Sequence, residues 1–525
     1  MKRRILTVLI LALFVACKKA PEPRKQVPLP VFRHEMKGLT VDSTLLASRD
    51  SVLFVFYKMN NFQTVWYREQ NRRLVQAHLT QARCDGLIPE DYNTAQLMEL
   101  ERRFDNLSQR ELVNYDILLT ETACKYLRHL TQGKINPREF YANWDLPPNP
   151  IDVNALLSGG ISGDSLPNVI KNAKPPHDHY ARLERALEIL ETFPRDQMRK
   201  IPSLSTKLRL NDTSKTVVLI KKRLMYWNDM PYRDSISPVY DEDAVQAIKR
   251  FQSRHGLAVD GVIGKGTLEA LNFSREQRRQ QIVANMERWR WFPRRFSNHY
   301  VIINIPAFEM TLVKDGDTVQ TNRVVVGKSD RKTPVLVSRF SRVILNPTWT
   351  VPPTIVREDL TPDARRNRGY FAARHITIYN WRGEIVSPAD WNPDKASSYR
   401  YVQRPGPDNA LGTVKFDYPN RFTVYLHDTN HRELFSRSNR SLSSGCIRVE
   451  DPLPLAAYLI NNEKIDLDSI TSVIGSQKTT PHPVRDPIHL YQLYWTAWSD
   501  NGKLIFRDDI YQLDAPLYEA LRNRR

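Results

Sequence analysis

Cysteine is scarce in this chain: its 525 residues hold four, at positions 17, 84, 124 and 446. With Cys17 set aside for the N-terminal segment, three remain. That odd count excludes complete disulfide pairing, so at least one thiol stays free even in an oxidising compartment. Long apolar runs are missing too. Residues 5–16 (ILTVLILALFVA) are too short to span a bilayer comfortably, and no other segment is apolar enough to do so. Acidic residues are outnumbered, 58 against 77 Lys and Arg, for a net charge of +19. That surplus favours an anionic partner: nucleic acid, phospholipid headgroups or a carboxylate-rich polymer. No nucleic-acid-binding motif is present, and the basic residues are spread along the chain. A polyanionic envelope component therefore ranks above nucleic acid.

Hydrophobic content is 41% and charged content 26%, as in soluble folded proteins. The length exceeds what one core fills, and at about 150 residues per domain it implies roughly three. Lys2, Arg3 and Arg4 precede the apolar run 5–16, and Ala16-Cys17 closes it. This layout resembles a bacterial lipoprotein signal, cleaved before a cysteine that is then acylated. It ranks above an ordinary secretory signal or an uncleaved anchor. Residues 1–17 are expected to be the signal peptide, with Cys17 as the lipidation site on the periplasmic side of a membrane. Residues 18–39, rich in Pro and Lys at their start, read as a disordered tether.

Residues 40–205 read as mostly helical. Leu112, Tyr115, Leu119 and Tyr126 fall near helical spacing, and Gly133 follows as a stop. Cys84 and Cys124 lie in helical patterns, as buried thiols or as a mutual disulfide. Residues 206–275 form a second unit of three short helices. Asp241 is a candidate cap, Gly256 a stop, and Asp260-Gly261 a tight turn. After residue 299 the period changes to two. Residues 300–313 and 319–326 alternate, with Asp315-Gly316 as a hairpin turn between them. Residues 421–427 alternate again, placing Tyr425 and His427 on one face. Residues 347–410 interrupt the β-rich region as a large insertion. Asp451-Pro452 reads as a helix N-cap, and 487–514 as a hairpin around Asn501-Gly502.

Chemistry concentrates around Ser443-Ser444-Gly445-Cys446-Ile447-Arg448, with His427 lying 19 positions before Cys446. A thiol performs acyl transfer well, because its thiolate is intrinsically nucleophilic. It needs a neighbouring base or positive charge to populate that form. His427 can supply either, and Arg448 adds positive potential. Gly445 permits a tight backbone in which the amides of Gly445 and Cys446 face a developing oxyanion.

Taken together these residues resemble the signature of the L,D-transpeptidase family: a His, a gap of this length, then Ser-x-Gly-Cys-Ile/Val-Arg. Many members carry His where this chain has Ser444. Asn346-Pro347-Thr348-Trp349, Pro405-Gly406 and Asn409-Ala410-Leu411-Gly412 resemble the large multidomain subgroup, as do Asp85-Gly86-Leu87-Ile88-Pro89 and Gly133-Lys134-Ile135-Asn136-Pro137 in its helical scaffold domain. Phe251-Gln252, Gly256-Leu257, Asp260-Gly261, Ile263-Gly264 and Thr267 resemble the three-helix peptidoglycan-binding module. The fold implied is multidomain α+β: a helical scaffold domain (40–205), a peptidoglycan-binding module (206–275) and a β-rich catalytic domain (290–480) with an inserted lid (about 347–410). A C-terminal hairpin and helix (481–525) complete it.

The resemblance implies ping-pong acyl transfer. Cys446 attacks the carbonyl on the L-centre of the diamino acid of a peptidoglycan stem tetrapeptide and releases the terminal D-Ala. The acyl group then passes to a neighbouring stem amine as a 3→3 cross-link. His427 is the implied base, oriented by a backbone carbonyl for which Ser443 and Asp428 are candidates. Tyr425, Trp349 and Ser444 are expected to contact substrate, and Asp260 and Gly261 to contact wall polymer. No cofactor and no metal ion is expected. Papain-like peptidases place Cys before His, and sortases place their Arg on a separate strand, so both fit less well. A non-catalytic wall-binding protein fits poorly with intact Cys446, His427 and Arg448. Hydrolysis in place of transfer stays open, as does attachment of a protein to the wall, because the acceptor alone distinguishes these. Whether the three-helix module binds wall polymer or acts as a spacer also stays open.

Overall fold

The computed structural model describes residues 35–47, 49, 51–461, 466–486 and 488–523; the signal-like segment and Cys17 lie outside these. The first folded part is helical. Its 24-residue helix α1 (Gln109–Gln132) opens on a capping box, in which the Ser108 side chain takes the Glu111 amide and the Glu111 carboxylate takes the Ser108 amide. It closes at Gly133, whose φ of 85° suits glycine. Leu112, Tyr115, Leu119 and Tyr126 are buried along it against Tyr57, Trp66 and Tyr92. The buried Asp116 carboxylate accepts from the Tyr57 hydroxyl at 2.6 Å and from the Val65 and Trp66 amides at 2.8 and 2.9 Å. Burial raises its pKa to about 6. Cys84 and Cys124 are not joined in a disulfide, so that alternative falls. Cys84 is exposed on a 3-10 turn (Ala82–Asp85), not on a buried helix face.

Three helices follow: α2 (Lys215–Tyr226), α3 (Glu242–Arg254) and α4 (Lys265–Leu271). Asp241 caps α3 by accepting from the Ala244 amide, and Gly256 beyond it has φ 65°. Gln252 holds the turn after α3. Its side chain donates to Asp260 at 2.9 Å and to the Val262 carbonyl at 3.0 Å, and accepts from the Gly261 amide at 2.9 Å.

Helix α5 (Arg275–Arg290) is enclosed on nearly all sides, although it is rich in Arg and Gln. Its charges are matched internally. Glu287 accepts from the Lys134 and Ile135 amides at 2.6 and 2.8 Å and pairs with Arg290 at 3.0 Å; Arg288 pairs with Asp514 at 2.5 Å. These bonds join the first helical part to the C-terminal helix.

The remaining chain builds the β structure: β1 (Trp144–Asp145), β2 (His299–Asn304), β3 (Glu309–Lys314), β4 (Asp317–Gly327), β5 (Val335–Arg339), β6 (Arg342–Leu345), β7 (Trp349–Thr350), β8 (Ile376–Tyr379), β9 (Ile385–Val386), β10 (Arg400–Gln403), β11 (Val414–Asp417), β12 (Leu426–His427), β13 (Ser441–Ser443), β14 (Ile447–Val449), β15 (Thr480–Pro483), β16 (His489–Leu493), β17 (Ala497–Asp500) and β18 (Lys503–Phe506). Twelve of these form one sheet, ordered β1-β5-β16-β2-β3-β4-β14-β12-β11-β6-β15, with β13 beside the end of β4. The insertion is a body of its own, with sheet order β7-β10-β8-β9 around Phe371, Trp391 and Tyr401.

Several expectations change. The run 300–313 is two antiparallel strands, not one. Pro306 sits in a 3-10 turn (Ile305–Ala307) and Phe308 turns the chain with φ 56°. Residues 421–425 are turn and loop, with Thr423 at φ 55°, and the strand begins at Leu426. Helix α6 (Leu453–Ile460) is capped by Pro452; Asp451 has φ 44°, not the extended conformation an N-cap adopts. The hairpin at Asn501-Gly502, with φ 46° and 72°, is confined to β17 and β18. β16 instead joins the main sheet between β5 and β2. Helix α7 (Asp514–Asn523) ends the described chain. Among the described residues no helix is long and apolar enough to cross a membrane.

Candidate active site

β12 and β14 run parallel, with Leu426 opposite Ile447 and His427 opposite Arg448. Residues opposite one another in a ladder point the same way, as do residues two apart on one strand. Tyr425, His427, Cys446 and Arg448 therefore share a face. The Tyr425 and His427 ring centroids lie 5.7 Å apart, and the Tyr425 carbonyl accepts from the Ile447 amide at 3.1 Å. β11 adds a fifth member, because Lys415 lies opposite His427. Its ammonium sits 4.3 Å over the Tyr425 ring and 2.7 Å from Asp417.

His427 is 5% exposed, and its Nδ1 lies 2.5 Å from the Asp428 carbonyl oxygen. A carbonyl only accepts, so Nδ1 carries the proton and Nε2 keeps its lone pair. Burial, reinforced by Arg448, lowers the His427 pKa to about 3 against the effect of that carbonyl. Of the two orienting candidates, Asp428 makes the contact. The Ser443 carbonyl is taken by the Lys328 amide at 3.0 Å, so that alternative falls. The Asp428 carboxylate turns away, accepting from the Thr413 amide and hydroxyl, both at 2.8 Å, and from Arg432 at 2.9 Å. A Cβ on Gly412 (φ 59°) would stand 2.4 Å from that carboxyl carbon, which accounts for glycine there.

Burial pushes the Cys446 thiol up to about 11, against the Tyr425 amide and hydroxyl, Lys415 and Arg448, which all favour the thiolate. The resting pair is thus a neutral thiol and a neutral imidazole. The cations do not hold a thiolate in advance. Burial, reinforced by the neighbouring Cys446, holds the Tyr425 hydroxyl well above its ordinary pKa, and Trp349 lies close enough to oppose that shift. Trp349 reaches the site from β7 of the insertion.

The turn before Cys446 departs from expectation at one amide. Gly445 has φ 111°, and its N–H donates to Ser443 Oγ at 3.1 Å, so it does not face the substrate side. Ser443 in turn donates to the Cys446 carbonyl at 2.5 Å. Among the described residues none accepts from the Cys446 amide. The exposed Ser444 accepts from Arg331 at 2.9 Å, and Arg331 also pairs with Glu358 and Asp359 of the insertion at 2.6 and 2.8 Å. Beneath the turn, Thr333 Oγ1 donates to the Gly445 carbonyl at 2.9 Å and accepts from the Gly327 amide at 2.9 Å. Tyr511 donates to the Gly327 carbonyl at 2.7 Å. Asp260 and Gly261 lie elsewhere, in the turn held by Gln252, and their polar groups are used inside that module. Among the described residues no group of three or more His, Cys, Asp or Glu side chains could hold a metal ion.

Lys415, Arg331, Thr333 and Tyr511 were not singled out from the sequence. Each is brought to the site by strand register or by a loop far away in the chain, which no local pattern announces.

Three family models match the chain. Residues 298–467 match an L,D-transpeptidase catalytic domain, residues 51–187 a scaffold domain, and residues 213–271 a domain described as "Putative peptidoglycan binding domain". A curated protein of Haemophilus influenzae, named "Putative L,D-transpeptidase", is 39% identical over 240 residues, covering 45% of this chain and 48% of its own length. The chain thus spans about half the length of that relative. An L,D-transpeptidase structure from Xylanimonas cellulosilytica overlaps 56% of this chain and 100% of its own, at 14% identity and a TM-score of 0.18. One from Stackebrandtia nassauensis overlaps 56% and 96%, at 11% identity and a TM-score of 0.20.

Proposed function

From the match of residues 298–467 to an L,D-transpeptidase catalytic domain, we propose that this chain is a cysteine-dependent acyltransferase that remodels peptidoglycan stem peptides. The observation carrying this is the shared face of Cys446, His427, Tyr425 and Arg448, together with the Asp428 carbonyl that fixes the His427 tautomer.

In this reading Cys446 Sγ attacks the carbonyl on the L-centre of the diamino acid in a tetrapeptide stem. His427 Nε2 takes the thiol proton as the S–C bond forms, so charge appears only as the reaction proceeds. The Cys446 amide donates to the oxyanion. The protonated imidazole passes its proton to the leaving nitrogen, and the C–N bond breaks to release D-Ala and leave a thioester. A side-chain amine of a neighbouring stem then attacks the thioester, with His427 taking its proton; the C–S bond breaks, the imidazolium returns the proton to Cys446 Sγ, and a 3→3 cross-link is left. Trp349 and the insertion, tied to the nucleophile turn by Arg331, cover the site and limit hydrolysis. The module at 213–271 holds wall polymer, and lipid on Cys17 keeps the chain at the periplasmic side of a membrane in the cell envelope. Labelled palmitate taken up equally by a Cys17→Ala variant would contradict the anchor.

Muropeptide mass spectrometry tests the reaction. Sacculi treated with wild-type protein should gain 3→3 dimers, and the Cys446→Ala variant should produce none. Tripeptide stems without dimers would make the chain a carboxypeptidase instead.

A further inference from the structure

An enzyme that removes only the last residue of a peptide must recognise the end, and the feature unique to an end is its free carboxylate. The thiol face carries cations in excess of what balances them. Asp417 is shared between Lys415 at 2.7 Å and Arg342 at 2.9 Å, so one negative charge serves two positive ones. Arg448 pairs with no carboxylate among the described residues, and its Nε is buried without an acceptor. A buried donor left unmatched is costly unless a bound group supplies the acceptor. The reach is suitable. Arg448 lies two positions along the chain from Cys446, about 7 Å of backbone, and Lys415 lies on the same face from β11, opposite His427, with its side chain 21% exposed. The terminal carboxylate of a donor stem lies one residue, about 3.5 Å of chain, beyond the attacked carbonyl.

We propose that Lys415 and Arg448 form a subsite for the C-terminal carboxylate of the donor peptide, with Lys415 as a specificity-determining residue. The proposal rests on the transfer reaction proposed above. It gives the ammonium a role beyond packing on Tyr425: two of its three protons remain for a ligand after the bond to Asp417. Salt-bridged hydrogen bonds of this kind discriminate strongly against a neutral analogue, which leaves the cations unmatched.

The test compares a tetrapeptide donor as free acid with the same peptide as C-terminal amide. The wild-type protein should favour the acid by roughly 10–100-fold in kcat/KM, mostly through KM. Lys415→Met, which keeps the apolar stem over Tyr425, should lose most use of the acid and little use of the amide. Lys415→Arg should restore much of the preference. Calorimetric binding of both peptides to Cys446→Ala, which leaves Lys415 untouched, should show the same preference without turnover. A wild-type acid-to-amide ratio retained in folded Lys415→Met overturns the proposal. So does an equal loss on both donors, accompanied by a shifted pH profile for thiol alkylation, because the cation would then serve the thiol alone. If the wild-type protein binds the acid yet transfers neither donor, the reaction proposed above fails while the subsite stands. If it binds neither, both fail.

Discussion

A neutral resting pair makes a sharp demand on the reactivity of Cys446. Burial carries its thiol from an ordinary 9.0 up to about 11. Far below both values, the thiolate fraction then falls by roughly 100-fold relative to an exposed thiol. The perturbation is pH itself, and the assay is alkylation by iodoacetamide, read by mass spectrometry on the peptide containing Cys446. The logarithm of the rate should climb about one decade per pH unit from pH 7 to about 10, with no plateau near neutrality. The imidazole stays neutral down to about 3, so it contributes no charge that could hold a thiolate. His427→Gln should therefore leave the alkylation profile nearly unchanged while lowering acyl transfer by about 100-fold or more. A rate that levels off below pH 8, or an acid-shifted profile that disappears in His427→Gln, would mean a preformed thiolate–imidazolium pair. That result would refute the reasoning.

Three further outcomes follow from packing. Gly412→Ala puts a Cβ 2.4 Å from the Asp428 carboxyl carbon at a φ of 59°. It should cost about 1–3 kcal/mol in urea unfolding and lower kcat by displacing the carbonyl that orients His427. Thr333→Val removes the hydroxyl between the Gly327 amide and the Gly445 carbonyl; a loss of about 1–3 kcal/mol with reduced kcat and unchanged circular dichroism is expected. Glu287→Leu leaves Arg290 uncompensated and two backbone amides without an acceptor inside the molecule. Thermal or denaturant unfolding should register about 3–5 kcal/mol, with the two helical parts loosening together.

What could be read from the chain was whatever local chemistry announces. Asp315-Gly316 and Asn501-Gly502 mark hairpins because both positions of such turns need positive φ, and both residues of each pair adopt it. Asp241 caps α3 because a short side chain can reach the Ala244 amide. The thiol and the imidazole are visible as residue types at a characteristic spacing. Helix α5 was invisible, because Arg275–Arg290 carries no apolar stripe. It is buried through matched charges such as Arg288–Asp514, whose partners lie far apart in sequence. Lys415 was overlooked for a related reason: a lysine alternating along a strand reads as solvent-facing, and its place beside His427 follows from the pairing of β11 with β12. The Gly445 amide was misassigned because composition permits its turn but does not say where the N–H points; Ser443 takes it.

In the proposed reaction Cys446 carries the acyl group of a wall peptide. Brief incubation with a tetrapeptide donor and no acceptor, followed by acid quenching and intact-mass spectrometry, tests it directly. One added tripeptidyl mass is expected, mapped to the peptide containing Cys446, released by hydroxylamine and missing from Cys446→Ala. An unmodified folded protein after turnover of the donor, or an adduct on Cys84 or Cys124, would contradict it.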